Sequence, residues 1–287
     1  MEAVYKREFK SYFVNMSGYV FMAVLLLFCG IFTMAVNLMS QSAQFEFVLG
    51  NMNIVLMLII PVLTMRSMAE DRRSKTDQLL YSLPISTTAV VIGKFLAMVT
   101  VYGITCLAMG IVPLILESFG DVSLGTAYAA LFGFFLLGTA LIAVCMFLSS
   151  LTSSQIIAAV TGIGATLALY LMSGLASLIP TTAAASLIGL LLLGAVLGLV
   201  VYALCKNYIV ALACSAVCII PTVIVYAVNS SKFEGLLPGV VRYLAIFDRF
   251  NNFANGVFDI TAVVYFLTVT VFFVFLSVQS MDKRRWN

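Results

Sequence analysis

The chain contains no histidine among its 287 residues. Imidazole acid–base catalysis, Ser-His nucleophiles and histidine-ligated metal sites are therefore excluded. A GxxxxGK[ST] phosphate-binding loop is also lacking, and the one Gly-Lys pair, Gly93-Lys94, has no glycine-rich stretch before it. We therefore expect a chain that is not an enzyme, holds no cofactor or metal and does not hydrolyse ATP by itself.

Cysteine chemistry is equally scarce, because the six cysteines form no CxxC pair and all lie in or at the ends of apolar runs. This placement is typical of small buried hydrophobic side chains rather than of a disulfide framework or a metal site. The cysteines are Cys29, Cys106, Cys145, Cys205, Cys214 and Cys218.

Charged residues make up only 9% of the chain, whereas 63% is apolar and the mean hydropathy is +1.13. These values are typical of an integral membrane protein. Several apolar runs exceed the roughly 18 residues that a spanning helix needs, and none alternates as an outer-membrane strand does. We therefore predict an all-α polytopic fold. The eight predicted spans cover about 18–39, 50–68, 91–116, 126–149, 155–179, 186–204, 208–228 and 260–280.

The distribution of cations predicts the topology, because Lys and Arg beside a span resist translocation. If the chain has eight spans and a cytoplasmic N-terminus, twelve of its 15 Lys and Arg residues lie on the cytoplasmic side of the membrane. Only Lys232, Arg242 and Arg249 then lie on the outer side. Both termini are therefore predicted to be cytoplasmic. Residues 186–228 form a hairpin in this scheme, with only Lys206 and Asn207 between its two apolar runs.

The predicted spans carry no ionisable residue at mid-membrane depth, where ion-coupled transporters bind their driving ion. Arg66 and Lys94 lie near span ends, from which their side chains are expected to snorkel to water. Any transport would therefore be driven from outside the chain. The largely uncharged, aromatic-rich spans suit a lipid-like or amphipathic cargo better than a small ion.

The segment before the first span, residues 2–15, predicts an amphipathic helix that lies in the membrane interface. Its aromatic face carries Tyr5 and Phe9, and its opposite face carries Lys6, Arg7 and Lys10. Two interpretations remain open. The helix is either a basic membrane anchor or an elbow along the inner leaflet that touches a cytoplasmic partner.

A polar segment at residues 69–85 interrupts the apolar sequence. The spacings of Asp71 to Lys75 and of Arg73 to Asp77 predict two helical ion pairs. Leu79 and Leu80 then add an apolar edge, and further on Ser86 can cap the next span. The pattern fits either a solvated loop or a short exposed helix on which a partner protein exerts force.

The outer segment at residues 229–259 has apolar and aromatic residues at helical spacing. Phe247 and Phe250 mark its aromatic side, and Asp248 and Arg249 lie between them. These four residues are candidates for an outer gate. Short re-entrant helices that close a pathway and an interfacial helix pair packed on the bundle both fit the pattern.

Several stretches resemble a known family. PVLTMRSMAEDRRSKTDQLLYSLPIS and the following VVIGKFLA resemble the membrane subunit of ABC type-2 exporters, in particular the gliding-motility-type branch of bacterial ABC permeases. Further similarity is found in VYKREFKSYF, SSLTSSQIIAAV, LAIFDRFNNFANGVFDI and VQSMDKRRW. Such permeases usually have six spans, so the hairpin at 186–228 is an addition to the usual pattern.

The resemblance implies a permease subunit of the bacterial cytoplasmic membrane that exports its substrate by alternating access. ATP and Mg²⁺ would be bound by a separate ATP-binding cassette subunit, with residues 69–85 as the coupling helix beside the elbow helix. A second permease copy or a related permease, the lipid bilayer and an auxiliary membrane subunit are the other implied partners, and nucleic acid is not one. The implied coupling residues are Glu70, Asp71, Arg72, Arg73, Lys75, Asp77, Leu79 and Leu80. The alternative function is a non-transporting anchor or assembly subunit for a cytosolic protein.

Overall fold

A computed structural model describes residues 1–74, 86–191, 208, 212 and 234–285. These residues form helices and no strand, which confirms the all-α polytopic fold. A π-helix, Thr33–Met39, continues the second helix. The α-helices are α1 (Glu2–Val14), α2 (Ser17–Phe32), α3 (Glu46–Arg73), α4 (Thr87–Met109), α5 (Ile111–Glu117), α6 (Leu124–Leu151), α7 (Gln155–Leu178), α8 (Leu236–Leu244), α9 (Ile246–Ala254) and α10 (Ile260–Arg285).

Six helical segments within the described residues have the length and hydropathy of membrane spans. They correspond to the first five predicted spans and the last one, and the third is α4 and α5 taken together, with a break at Gly110. The predicted spans at 186–204 and 208–228 lie largely outside the described residues.

The chain divides into two compact units, one of residues 1–168 and 246–287 and the other of residues 169–245. Within the first unit, α6 packs against α3, α4, α9 and α10. Its most apolar window is 72% buried inside the unit, against 17% for the windows of α2 and α10. The helix α6 is therefore the core of this unit, and much of the apolar surface of α2 and α10 faces outward.

Two glycines of α6 allow aromatic side chains to approach its backbone. A Cβ atom at Gly133 would lie 2.6 Å from the Phe253 ring, and one at Gly138 would overlap the Tyr102 ring. Tyr102 also donates a hydrogen bond from its hydroxyl to Phe134 O at 2.7 Å. Larger residues at these glycines would displace rings that are fully buried.

A proline inside α3 creates a joint with α7. Pro61 has no N–H, so the carbonyl of Met57, one turn earlier, loses its partner within the helix. The Thr166 hydroxyl lies 2.9 Å from Met57 O and replaces the missing donor. A Cβ atom at Gly162 would be 2.9 Å from Pro61 Cβ, so glycine allows the close approach that this hydrogen bond needs.

The second unit contains a small packed corner. Residues 183–191 are helical, and the N-terminus of α8 packs against them. Leu237 N donates to the Ser186 hydroxyl at 3.3 Å, and Gly235 N donates to Thr181 O at 2.9 Å. Gly189 leaves room for the Leu237 side chain, which a Cβ atom would overlap.

Candidate functional site

The charged residues of the first unit gather where α1, the C-terminal end of α3 and the beginning of α4 meet. We call this region the charged end and define it by Glu8, Arg66, Glu70, Asp71 and Lys94. The C-terminal ends of α6 and α10 also lie there, because Ser149 and Asp282 contact α3 and α4. The segment that follows α3 therefore starts from this cluster.

Lys94 lies at the centre of the charged end. Its Nζ atom is 3.0 Å from Glu8 Oε1, 2.7 Å from Asp71 Oδ2 and 2.9 Å from Ser67 O, so all three ammonium protons have acceptors. The side chain is only 2% exposed. The prediction that Lys94 snorkels to water is therefore wrong, because two carboxylates satisfy its charge inside the protein.

This lysine connects three helices that are distant in sequence. Glu8 belongs to α1, Asp71 to the last turn of α3 and Lys94 to α4. Breaking such a buried pair costs several kcal/mol, because the remaining charge is left without a partner. Directional contacts thus hold the three helices in a fixed arrangement at this point.

The first four predicted coupling residues lie inside a continuous α3. Glu70, Asp71, Arg72 and Arg73 form its last turn rather than the start of a separate short helix. Glu70 accepts two hydrogen bonds from Arg66, from Nε at 2.9 Å and from Nη2 at 3.1 Å. Arg72 and Arg73, the basic residues of this last turn, stabilise the negative end of the helix dipole.

These four residues differ in their surroundings. The Arg72 guanidinium lies 3.4 Å from Thr152 O, beyond the end of α6, whereas Arg73 is exposed. Asp71 pairs with Lys94 of α4, and the predicted partners Lys75 and Asp77 lie outside the described residues. Arg73 therefore offers the clearest exposed charge for a partner.

The other predicted coupling residues lie in residues 75–85, outside the described part of the chain. They are Lys75, Asp77, Leu79 and Leu80. The residue after this segment, Ser86, accepts a hydrogen bond from Ala89 N at 3.3 Å and caps α4. The predicted cap is therefore confirmed.

The elbow helix forms as α1, but its buried face is offset from its aromatic face. Val4 and Tyr12 are buried, and Glu8 lies between them on the same face. Burial raises the pKa of Tyr12, so its phenol remains neutral. A Cβ atom at Gly93 of α4 would come within 3.2 Å of Val4, so the two helices are in close contact.

The remaining predicted elbow residues surround this buried face. Tyr5 stacks on Phe9 with ring centroids 5.9 Å apart, and its hydroxyl is 3.2 Å from the Thr100 hydroxyl of α4. Arg7 bonds Glu8 at 2.6 Å, and this hydrogen bond raises the pKa of Arg7. Lys6 and Lys10 are exposed, as the amphipathic pattern predicts.

Hydroxyl groups fasten the charged end to the core. Ser149 of α6 donates to Met65 O and accepts from Ala69 N, both at 3.3 Å. The Thr87 hydroxyl at the start of α4 is 2.5 Å from Asp282 Oδ1 of α10. The last turns of α3 and α10 and the first turn of α4 are thereby joined.

The outer-gate candidates lie on α9, whose apolar side faces the core. Phe247 and Phe250 are buried, and Phe250 meets the Phe134 ring of α6 at 5.9 Å between centroids. Arg249 lies over the Tyr265 ring at 5.5 Å, and Asp248 is half-buried. The structure therefore separates two structural phenylalanines from two polar residues at the surface.

The described residues contain no group of three or more potential metal ligands. Cys29, Cys106 and Cys145 are buried free thiols, which agrees with their interpretation as small hydrophobic side chains. The other three cysteines lie outside the described residues.

Sequence reasoning missed Glu8 and underestimated Lys94. The available signal was a lysine inside the apolar stretch VVIGKFLA, where a buried ammonium needs carboxylate partners. Glu8 also lies four residues from both Val4 and Tyr12, which places all three on one helical face. Which carboxylates reach Lys94 could not be read from the sequence, because they lie 86 and 23 positions away.

Comparison with known proteins gives the family. Residues 32–189, more than half of the chain, match the family described as ABC-2 family transporter protein. No curated protein and no solved structure shows a significant match to the chain. The matched range covers α3 and α4 and includes Asp71 and Lys94 of the charged end. The chain therefore belongs to the ABC-2 transporter family and is a multi-pass membrane permease.

Proposed function

We propose that this chain is the membrane subunit of an ATP-driven ABC exporter and that a separate ATPase acts on its charged end. One observation carries the proposal: buried Lys94 connects the end of α3, where the polar segment 69–85 begins, to α1 and α4. A force on that segment would reach three helices together. The gliding-motility-type branch and a bacterial inner-membrane location remain predictions from the sequence.

The packing supports rigid-body movement as the mechanism. The α3 helix runs without interruption from the charged end to Glu46 and packs along α6. Displacement of its last turn by an ATPase would move the part of α3 between the charged end and Pro61, and rigid-body movement of helices is one route to alternating access. The joint at Pro61 and Thr166 lies midway along α3 and would pass the movement to α7.

The proposed complex includes subunits that supply the functions for which this chain has no sequence motif. No phosphate-binding loop occurs in the sequence, so ATP and Mg²⁺ are assigned to the ATPase subunit, and this chain is assigned no enzymatic activity of its own. The cation distribution supports cytoplasmic termini and a cytoplasmic charged end. A second copy or a related permease would complete the pathway, with an auxiliary subunit as a further candidate.

The test uses the permease co-expressed with the Walker-motif ATPase encoded beside it, if the gene neighbourhood contains one, and reconstituted in proteoliposomes. Arg73→Glu reverses an exposed charge, and Lys283→Glu is the matched control, an exposed cation on α10. We expect Arg73→Glu to lower permease-stimulated ATP hydrolysis several-fold while the control does not. Equal stimulation in both variants would contradict the coupling role of the charged end.

Transport itself needs a separate readout. ATP-dependent movement of an amphipathic substrate from a screen would support the exporter. Stable assembly with the ATPase, but no ATP-dependent movement of any substrate in the screen, would instead favour the anchor or assembly function. The two outcomes are distinguishable because assembly is measured by co-purification and transport by substrate flux.

A further inference from the structure

The polar segment 69–85 is attached to the membrane helices at both of its ends. At its beginning, the last turn of α3 is connected to α1 and α4 through Lys94. At its other end, the chain continues into the first turn of α4, where Thr87 is only 7% exposed. The Thr87 hydroxyl donates a hydrogen bond to Asp282 Oδ1 of α10 at 2.5 Å. This end of the segment is therefore connected to the last span.

The hydrogen bond between Thr87 and Asp282 is of a strong kind. Bonds from a hydroxyl to a carboxylate have lengths of about 2.5–2.7 Å and are roughly twice as strong as bonds between neutral groups. The distance between Thr87 Oγ1 and Asp282 Oδ1 falls within that range. Because the Thr87 side chain is buried, little water competes for its hydroxyl. A displacement of the first turn of α4 would therefore be passed to α10.

Asp282 lies at a position that its own helix disfavours. It belongs to the last turn of α10, where the helix dipole is negative and basic residues such as those at 283–285 are favoured. The first turn of α4 has the opposite polarity, because its backbone N–H groups lack partners within the helix. Contact with the beginning of α4 therefore explains an acidic side chain at the end of α10.

A second hydrogen bond attaches the same end of α10 to α6. The Ser280 hydroxyl donates to Ser150 O at 3.3 Å. Ser150 lies in the last turn of α6, where the carbonyl groups have no N–H partner within the helix. The end of α10 thus contacts both the beginning of α4 and the end of the core helix α6.

The rest of α10 is packed mainly on one side. Its most apolar window is 17% buried, and its main contacts are with α4, α6 and α9. Sliding of packed helices past one another is a common form of conformational change. A helix packed in this way can shift along α6 when its end is displaced. The contact with Thr87 then determines whether α10 follows α4.

We infer that Asp282 is a positioning residue for the coupling of ATP hydrolysis to transport. Through Thr87, it makes the last span follow the end of the polar segment that leads into α4. This inference rests on the proposed function, because it requires that an ATPase displaces the segment. It adds α10 to the helices α1, α3 and α4 that the charged end connects.

The test measures amide hydrogen exchange in the complex of the full-length chain with the co-expressed ATPase, with and without Mg²⁺-ATP. Local opening of a helix end changes the exchange of its backbone amides. In the wild-type complex, we expect an ATP-dependent change at the last turn of α3 and at the last turns of α10. Thr87→Val keeps the side-chain shape but removes the hydroxyl. In this variant the change at α10 should be lost, whereas the change at α3 should remain.

The neighbouring threonine provides the control. Thr88 lies in the same first turn of α4, but its side chain is exposed, so Thr88→Val should leave both changes as in the wild type. Thr87→Ser retains a hydroxyl at the buried position and should restore the change at α10. A contact that only stabilised the fold would alter the exchange of α10 equally with and without ATP, and that result would overturn the inference.

A double-mutant cycle tests whether the two side chains act through each other. Asp282→Ala removes the acceptor and should abolish the same ATP-dependent change at α10. The double variant Thr87→Val, Asp282→Ala should behave like either single variant, because both remove one interaction. An α10 that still responded to ATP in Asp282→Ala would contradict the role of this carboxylate.

The outcomes separate this inference from the proposed function. If Mg²⁺-ATP changes the exchange of α3 and the change at α10 persists in Thr87→Val, the inference is overturned while the proposed function stands. If Mg²⁺-ATP changes the exchange of neither helix in the wild-type complex, the proposed function fails, and the inference fails with it.

Discussion

The two ends of the first unit are held together by different kinds of contact. At the charged end, the Lys94 ammonium makes hydrogen bonds of 2.7–3.0 Å to two carboxylates and one backbone carbonyl. At the opposite end, which we call the aromatic end and define by Phe134, Phe250 and Phe253, packed rings hold α9 against α6. Hydrogen-bonded charges fix one geometry, whereas apolar packing depends mainly on buried area and tolerates small shifts.

This difference is what the proposed function would need, because there an ATPase acts on the charged end and the pathway opens at the other end. A fixed junction transmits displacement, and a packed aromatic contact permits rearrangement without leaving an unpaired charge. The polar residues of α9, Asp248 and Arg249, lie outside that packed contact. The predictions below test the contrast between the two ends.

The largest effect is expected from Lys94→Met. Removing the ammonium takes from Glu8 and Asp71, both partly buried, the cation that they share, although Arg7 still pairs with Glu8, so we expect a loss of about 3 kcal/mol in stability. The triple variant Glu8→Gln, Asp71→Asn, Lys94→Met removes all three charges and should recover most of that loss. Thermal unfolding in detergent measures both, and equal losses in the two variants would contradict the ionic account.

The aromatic end should respond through volume rather than charge. Phe250 is fully buried, and Phe250→Ala is expected to cost about 3 kcal/mol through lost burial and a cavity. Phe250→Leu keeps most of the apolar volume and should cost less than half as much. If Leu and Ala destabilised the protein equally in unfolding assays, a specific ring contact rather than packing would hold this end.

A smaller effect is expected at the joint between the two ends. Thr166→Val keeps the shape of the side chain but leaves Met57 O without a donor, which is expected to cost about 1–2 kcal/mol. Thr161→Val is the control, because the Thr161 hydroxyl bonds only carbonyls of its own helix. Similar losses of unfolding temperature for both would show that the contact to Met57 is unimportant.

Features that depend on neighbouring residues could be predicted from the sequence, whereas contacts between residues distant in sequence could not. Hydropathy located the six spans that lie within the described residues, because about 20 apolar residues in a row are a local signal. The Ser86 cap was predictable for the same reason. Lys94 was misplaced because its partners come from other helices, and the close approaches at Gly133 and Gly138 depend on helix crossings that no local pattern specifies.

The smallest expected effect concerns a carboxylate near the aromatic end. A hydrogen bond from the Asn252 side chain, with further bonds around Thr261, holds the pKa of Asp259 below its usual 3.8. The stabilisation is therefore complete above that usual pKa and is lost as the pH falls through the lowered value. Since Asp259 is only half-buried and remains in contact with solvent, less than about 1 kcal/mol is expected.

The comparison for this carboxylate is between wild type and Asn252→Ala. Removing the main hydrogen bond should bring the pKa of Asp259 closer to its usual value. Unfolding temperatures measured from pH 6 to pH 3 should then fall less steeply in the variant. A wild-type and a variant profile of the same shape would show that this bond does not contribute.

The most direct test of the central claim is the ratio of substrate moved to ATP hydrolysed in the reconstituted complex of the triple variant Glu8→Gln, Asp71→Asn, Lys94→Met. This variant keeps the side-chain volumes but removes the buried ionic junction. The account predicts that the complex assembles and hydrolyses ATP while the ratio falls several-fold. A wild-type ratio in the assembled complex would contradict transmission through the charged end.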